Sequence, residues 1–170
     1  MLRTVVFALG LAACAGATKA AAQSELFYRD DTNFVYREAQ SCALYVDYAD
    51  DVMLRVSYRR HEGAVFVSLV GGPWNGVSTG QQYMVQLAFT HEPNYRQAFV
   101  ALGFEQPGDD ERRGVAAERG EELLPLFRAA DGFYAYLGSD QIGGYGLGNM
   151  PTAIDKLISC STAYFSVAPK

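Results

Sequence analysis

Residues able to do chemistry are scarce in this chain. It has two histidines and three cysteines. No His-Glu-x-x-His pair and no Gly-x-x-x-x-Gly-Lys loop occurs, so zinc-protease and P-loop chemistry have no motif to rest on. Two distant histidines and a pair of cysteines do not make a tetrahedral ligand set, and neither a metal nor a cofactor is expected. Cations are short as well: 14 Lys and Arg stand against 19 Asp and Glu. A nucleic-acid binder needs a basic footprint, and this balance excludes the common kinds. It argues equally against electrostatic attachment to anionic lipid. Long apolar runs are missing too. Thr4 to Ala17 is apolar or small throughout, yet it falls short of the roughly 20 residues that a transmembrane helix needs, and no later stretch comes closer.

What the beginning does contain is an export signal. Met1-Leu2-Arg3 is a charged start, the apolar run follows, and Ala20-Ala21-Ala22 supplies small residues where a signal peptidase reads. Residues 1–22 are expected to be a signal peptide, leaving a periplasmic or secreted chain that begins at Gln23. Losing Arg3 and Lys19 takes the net charge from −5 to −7. The alternative is a lipoprotein. Leu11-Ala12-Ala13-Cys14 matches the box at which bacterial precursors are acylated, and a lipid on Cys14 anchors the chain in the envelope. After cleavage 148 of the 170 residues remain, enough for one domain with a core.

Cys42 and Cys160 are then the two cysteines left. An even number of cysteines in an oxidising compartment implies a disulfide. A bridge between them closes a loop of about 120 residues, for which chain entropy allows about 4–5 kcal/mol as an upper figure.

The middle of the chain alternates. Val52, Leu54, Val56 and Tyr58 fall on one side of a strand, and Met53, Arg55, Ser57 and Arg59 on the other. Phe34–Glu38, Ala43–Tyr48, Ala64–Val70, Gln82–Thr90 and Gln97–Glu105 read as further strands, with turns at Ala49-Asp50-Asp51, His61-Glu62-Gly63 and Gly71–Gly76. Ala43–Val70 makes a three-strand meander. The period then changes: Leu123, Leu124, Phe127 and Ala130 recur at helical spacing. Phe133–Leu137 and Gln141–Leu147 form a hairpin through Gly138-Ser139-Asp140. Asn149 and Pro151 open a final helix with Ala153, Ile154, Leu157 and Ile158 on one face, ending at Cys160. The order predicts an α+β domain: a curved antiparallel sheet of about eight strands with two late helices packed on it. A β-sandwich with helical additions is the alternative. The organisation expected is signal peptide 1–22, lead-in 23–33, one domain over 34–163, and a tail 164–170.

A few residues have functional readings. Arg55, Arg59, Arg60 and His61 lie close in sequence and offer either a basic patch for an acidic partner or a solvated sheet face. Trp74, the single tryptophan, is either an exposed contact or a plug for one end of the sheet. Tyr134 and Tyr136 share a strand face and either cover the sheet or present a ladder to a glycan or peptide. His61 and His91 each precede a glutamate, Glu62 and Glu92, as an acid–base pair would, although turn residues in water commonly look the same. Gly143–Gly148 lacks the third glycine of a dinucleotide loop and has no βαβ setting. Its glycines are read as a joint that lets the strand bend.

From Cys42 onward the chain resembles a loose group of small exported bacterial proteins without assigned function. The resemblance rests on Cys42 opening a strand, on Trp74…Gly80-x-x-Tyr83-x-Val85-x-Leu87-x-Phe89, and on Gly138-Ser139 followed by Ala153-x-x-x-Leu157-x-x-Cys160. More remotely it is similar to the invasion-associated locus B-like family of periplasmic proteins. That resemblance implies a β-rich, disulfide-bonded fold. Members usually carry a second cysteine pair, which this chain lacks. Neither resemblance implies catalytic residues.

The expectation is therefore an exported, non-enzymatic domain that binds a protein, peptide or glycan in the cell envelope through Trp74, Arg55, Arg59, Tyr134 and Tyr136. The alternatives are a periplasmic hydrolase using His61 or His91 with a carboxylate, and a small-molecule carrier with a cavity between helices and sheet.

Overall fold

A computed structural model describes residues 24–92, 96–106 and 112–165. The expected signal peptide, Cys14, most of the charged loop before Arg113 and the last five residues of the tail lie outside these.

Ten strands form one sheet: β1 (Glu25–Arg29), β2 (Asn33–Arg37), β3 (Cys42–Asp47), β4 (Met53–Arg59), β5 (Ala64–Val70), β6 (Gln82–Phe89), β7 (Arg96–Glu105), β8 (Arg113–Gly120), β9 (Gly132–Leu137) and β10 (Asp140–Gly146). The spatial order is β1-β2-β3-β4-β5-β8-β7-β6-β9-β10, and every pairing is antiparallel. The first five strands are a meander. The chain then crosses through Gly71–Gly76, runs β6-β7-β8 back until β8 pairs with β5, and returns through α1 (Leu123–Ala129) to lay β9 beside β6. The helix α2 (Met150–Phe165) closes the fold.

The count of eight strands is thus corrected to ten, for two reasons. β1 lies in what reads as a lead-in. It has no clean alternation and is mostly exposed, and it is a strand because its backbone pairs with β2. β8 reads as a short extended piece because it is made of small and charged residues. Those small residues are what its place requires: a Cβ on Gly114 would lie 2.3 Å from the Leu69 carbonyl oxygen of β5. The final helix also continues one turn past Cys160, taking in Tyr164 and Phe165.

The inward faces of the strands supply the core. Leu44, Val46, Leu54, Val56, Val67 and Leu69 meet Val85, Leu87, Phe89 and Phe133 in one cluster, with Phe127 of α1 and Ala153, Ile154 and Leu157 of α2 laid over them. The helix keeps its apolar stripe against β2, β3 and β4, as period 3.6 requires. Two links fasten it there, and a third joins it to α1. Cys160 is bonded to Cys42 with the two Cα atoms 6.0 Å apart. Ser161 donates its hydroxyl to the Tyr58 carbonyl at 2.7 Å, buried. Arg128 of α1 pairs with Asp155 at 3.0 Å. No helix among the described residues is long and apolar enough to cross a membrane.

Candidate functional site

With the inner face filled and helix-covered, the outer face of the sheet is what the fold presents to solvent. Alternation places its residues there, and register lines them up. Tyr45 opposes Arg55, Arg55 opposes Ser68, Ser68 opposes Ala116, Ala116 opposes Leu102, and Leu102 opposes Gln82. One row therefore crosses six strands.

The β3–β4 end of that row is polar and closed on itself. Glu38 accepts from the Tyr45 hydroxyl and the Arg55 guanidinium. Arg55 Nε also donates to the Tyr45 oxygen at 3.0 Å. Ser57 donates to Ser41 at 2.9 Å, and Ser41 to Glu38 at 3.0 Å. Burial disfavours the Glu38 carboxylate, but the Arg55 charge and the bonds from Tyr45, Arg55 and Ser41 outweigh it and hold the pKa below the usual value. Burial pushes the Tyr45 phenol up to about 12, with Glu38 adding to the rise and the Arg55 charge opposing it. Tyr45 is therefore a donor at neutral pH, and Arg55 and Glu38 are both ionised.

Beside this network lies a shallow cavity of about 300 Å³ walled by Met53, Arg55, Ser68, Val70, Phe104 and Ala116. Beyond it the face turns apolar. Leu102 is 50% exposed, Val100 55% and its register partner Met84 48%, with Tyr134 of β9 at 43% further along. Large apolar side chains contiguous in water mark contact surfaces more often than solitary ones do.

The residues singled out from the sequence fall as follows. Arg55 and Arg59 share the outer face of β4 but are not an unengaged basic patch. Arg55 is matched by Glu38, while Arg59 lies 4.6 Å from the Phe66 ring centre and pairs with Glu62 at 3.3 Å. Trp74 is wholly buried and donates its indole N–H to Tyr145 at 3.2 Å, so its place is inside the fold. Tyr134 and Tyr136 are on the outer face. Tyr136 sits beneath Arg96, 4.0 Å from ring centre to guanidinium, and bonds Gln141. His61 lies 3.2 Å from Glu62, and His91 is exposed beyond β6 near Phe89. Neither histidine is on the wall of the cavities described. A broad cavity of about 730 Å³ lies where β4 meets the helices, with Tyr58, Arg60, Glu121 and Ile158 on its wall. Among the described residues no group of three His, Cys, Asp or Glu is placed to hold a metal.

Two features escape the sequence reading. Alternation alone puts Met84 on one face of its strand and Val100 and Leu102 on one face of theirs, but only the pairing of β6 with β7 joins them into one exposed row. The spacing Gly76-x-Ser78-x-Gly80 matches the nucleophile elbow of α/β-hydrolases. Its setting does not: Ser78 follows a 3-10 turn, and the next element is β6 rather than a helix. Its backbone N–H donates to Tyr83 at 2.7 Å.

No protein-family model matches the chain, and no curated protein does. Among solved structures, the crystal structure of invasion associated protein B from Bartonella henselae has the same general fold. Its TM-score is 0.56 at 13% sequence identity, covering 82% of this chain and 99% of that one.

Proposed function

We propose that the protein is an exported, non-enzymatic binding domain that engages a protein or peptide of the cell envelope through the outer face of its sheet. The observation that carries this reading is the exposed apolar row Met84, Val100 and Leu102 beside the cavity at Ser68 and Ala116. An apolar row of this kind favours a protein or peptide over a glycan, since sugars call for polar groups around an aromatic platform. The disulfide suits an oxidising compartment.

A photo-crosslinking residue at position 102, compared with one at position 159 on the helical side, tests the reading in the periplasm or culture medium of the producing cell. A discrete adduct is expected from position 102 and not from 159, and Val100→Asp should remove it. Equal labelling from both positions, or an adduct indifferent to Val100→Asp, overturns the assignment.

A further inference from the structure

The two edges of the sheet are finished differently. β1 is guarded. Arg37 on its neighbour pairs with Glu25 at 2.8 Å, Arg37 also lies 4.6 Å from the Tyr164 ring centre, and Tyr164 of α2 packs edge-on against Phe27. Charges and a covering helix are the usual means of blunting a sheet edge. β10 has neither. It runs seven residues with no Lys, Arg or Pro, and Gly143, Gly144 and Gly146 give its edge no side chains to obstruct an approach. It pairs with β9 alone, so alternate N–H and C=O groups point outward along its free edge.

Two cavities meet on this strand at Gly144 and Tyr145. One, of about 320 Å³, reaches across to Tyr48, Asp50, Val52 and Pro73. The other, of about 330 Å³, reaches to Thr90, Asp131 and Phe133. Neither wall contains Lys or Arg, and each carries an exposed aspartate, Asp50 or Asp131, that makes no ion pair among the described residues. The Tyr48 hydroxyl in the first cavity is buried without a hydrogen-bond partner. A buried unpaired hydroxyl costs about 1–3 kcal/mol, and a ligand group that bonds it removes that cost. The glycines keep the cavities open: a Cβ on Gly143 would lie 2.6 Å from the Tyr145 hydroxyl, and one on Gly144 3.0 Å from the Tyr134 ring.

The geometry points to strand addition at β10. An extended peptide segment carrying a Lys or Arg side chain pairs with the free backbone edge and sends side chains into the two cavities, where Asp50 and Asp131 receive the cation. Backbone pairing supplies affinity and the cavities supply choice, which is how added strands are recognised. This site is separate from the outer-face row and does not depend on it.

The probe is a displayed library of random octapeptides, followed by synthesis of the strongest binder and of its copy N-methylated on alternate amides. Enriched sequences should contain Lys or Arg, and the N-methylated copy should lose binding because it lacks the ladder donors. Asp50→Asn with Asp131→Asn should weaken the peptide about tenfold at low salt. Asparagine tolerates the left-handed backbone at position 50 (φ 60°). Gly146→Lys, where a Cβ meets nothing within 4 Å, should abolish binding while the protein stays folded. Amide NMR shifts on binding should centre on Gly143–Gly146 and Tyr48. Val100→Asp should leave peptide affinity unchanged, which separates this site from the outer face. The proposal is overturned by a library without basic enrichment, by binding that survives N-methylation, by shifts elsewhere, or by self-association through β10 in place of peptide binding.

Discussion

The Trp74 indole donates to the Tyr145 hydroxyl at 3.2 Å, tying the crossover after β5 to the edge strand β10. Neither element pairs with the other in the sheet, so this bond and the ring packing around it tie the crossover at the middle of the sheet to its β10 edge. Tyr145 also stacks against Tyr48 and Phe133, with ring centres 5.1 Å away in both cases.

Tyr145→Phe should therefore cost about 1–3 kcal/mol, because the buried indole N–H loses its acceptor. Trp74→Phe removes both the donor and much packing. In the double variant part of the Tyr145→Phe penalty should disappear, a coupling that urea unfolding of the four proteins measures. Strict additivity would show that the bond carries nothing.

The Cys42–Cys160 bridge spans 118 residues of sequence separation. Replacing both cysteines by alanine should lower stability by several kcal/mol, with about 4–5 as the upper figure. Reductant should bring the native protein's unfolding midpoint down towards that of the double-alanine variant and leave the variant unmoved. A native protein insensitive to reductant contradicts this.

Glu38 provides a pH dependence with a definite sign. Its folded pKa is depressed: burial opposes ionisation, and Arg55, Tyr45 and Ser41 overcome that. It therefore contributes stability above the unfolded carboxyl value of about 4.3, and the contribution is lost as pH falls through the lower folded value. Glu38→Gln should cost about 1.5–3 kcal/mol near neutral pH, with the gap to the native protein narrowing in acid. Unfolding curves taken from neutral to acid pH check it, and parallel pH profiles would refute it.

Gly114→Ala should destabilise by about 1–3 kcal/mol, since the added Cβ meets the Leu69 oxygen and the Val70 Cα at 2.3 and 2.9 Å. Gly146→Ala, in open space, should stay within about 0.5 kcal/mol. Chemical denaturation of both variants compares a tight approach with a bare edge.

The apolar alternation of β4 and β6, the helical period of Leu123–Phe127, and the start of α2 at Asn149 and Pro151 were all readable from residue order, because each depends on neighbours within one element. The cysteine pair was readable too, since the expected signal peptide takes in Cys14 and leaves two thiols to join. β8 was not readable. Gly114 and Ala116 carry no strand signal of their own, and Gly114 is small because the β5 backbone at Leu69 and Val70 closes on it. Nor were the candidate sites. Arg55 and Arg59 stayed open between a basic patch and a solvated face because strand pairing, not sequence neighbourhood, brings Glu38 to Arg55 and Phe66 to Arg59. Trp74 stayed open between an exposed contact and a plug because nothing local shows Tyr145 waiting for it.

The sequence alone thus determined eight of the ten strands and both helices, that the chain is acidic, and which cysteines are available to pair, all properties of local pattern and composition. The tertiary structure decided which face of the sheet the helices cover, which edge is left unguarded, and whether each polar side chain has a partner. Those depend on which distant segments meet, as Trp74 meets Tyr145 across 71 residues, and the order of neighbours holds no trace of such a meeting.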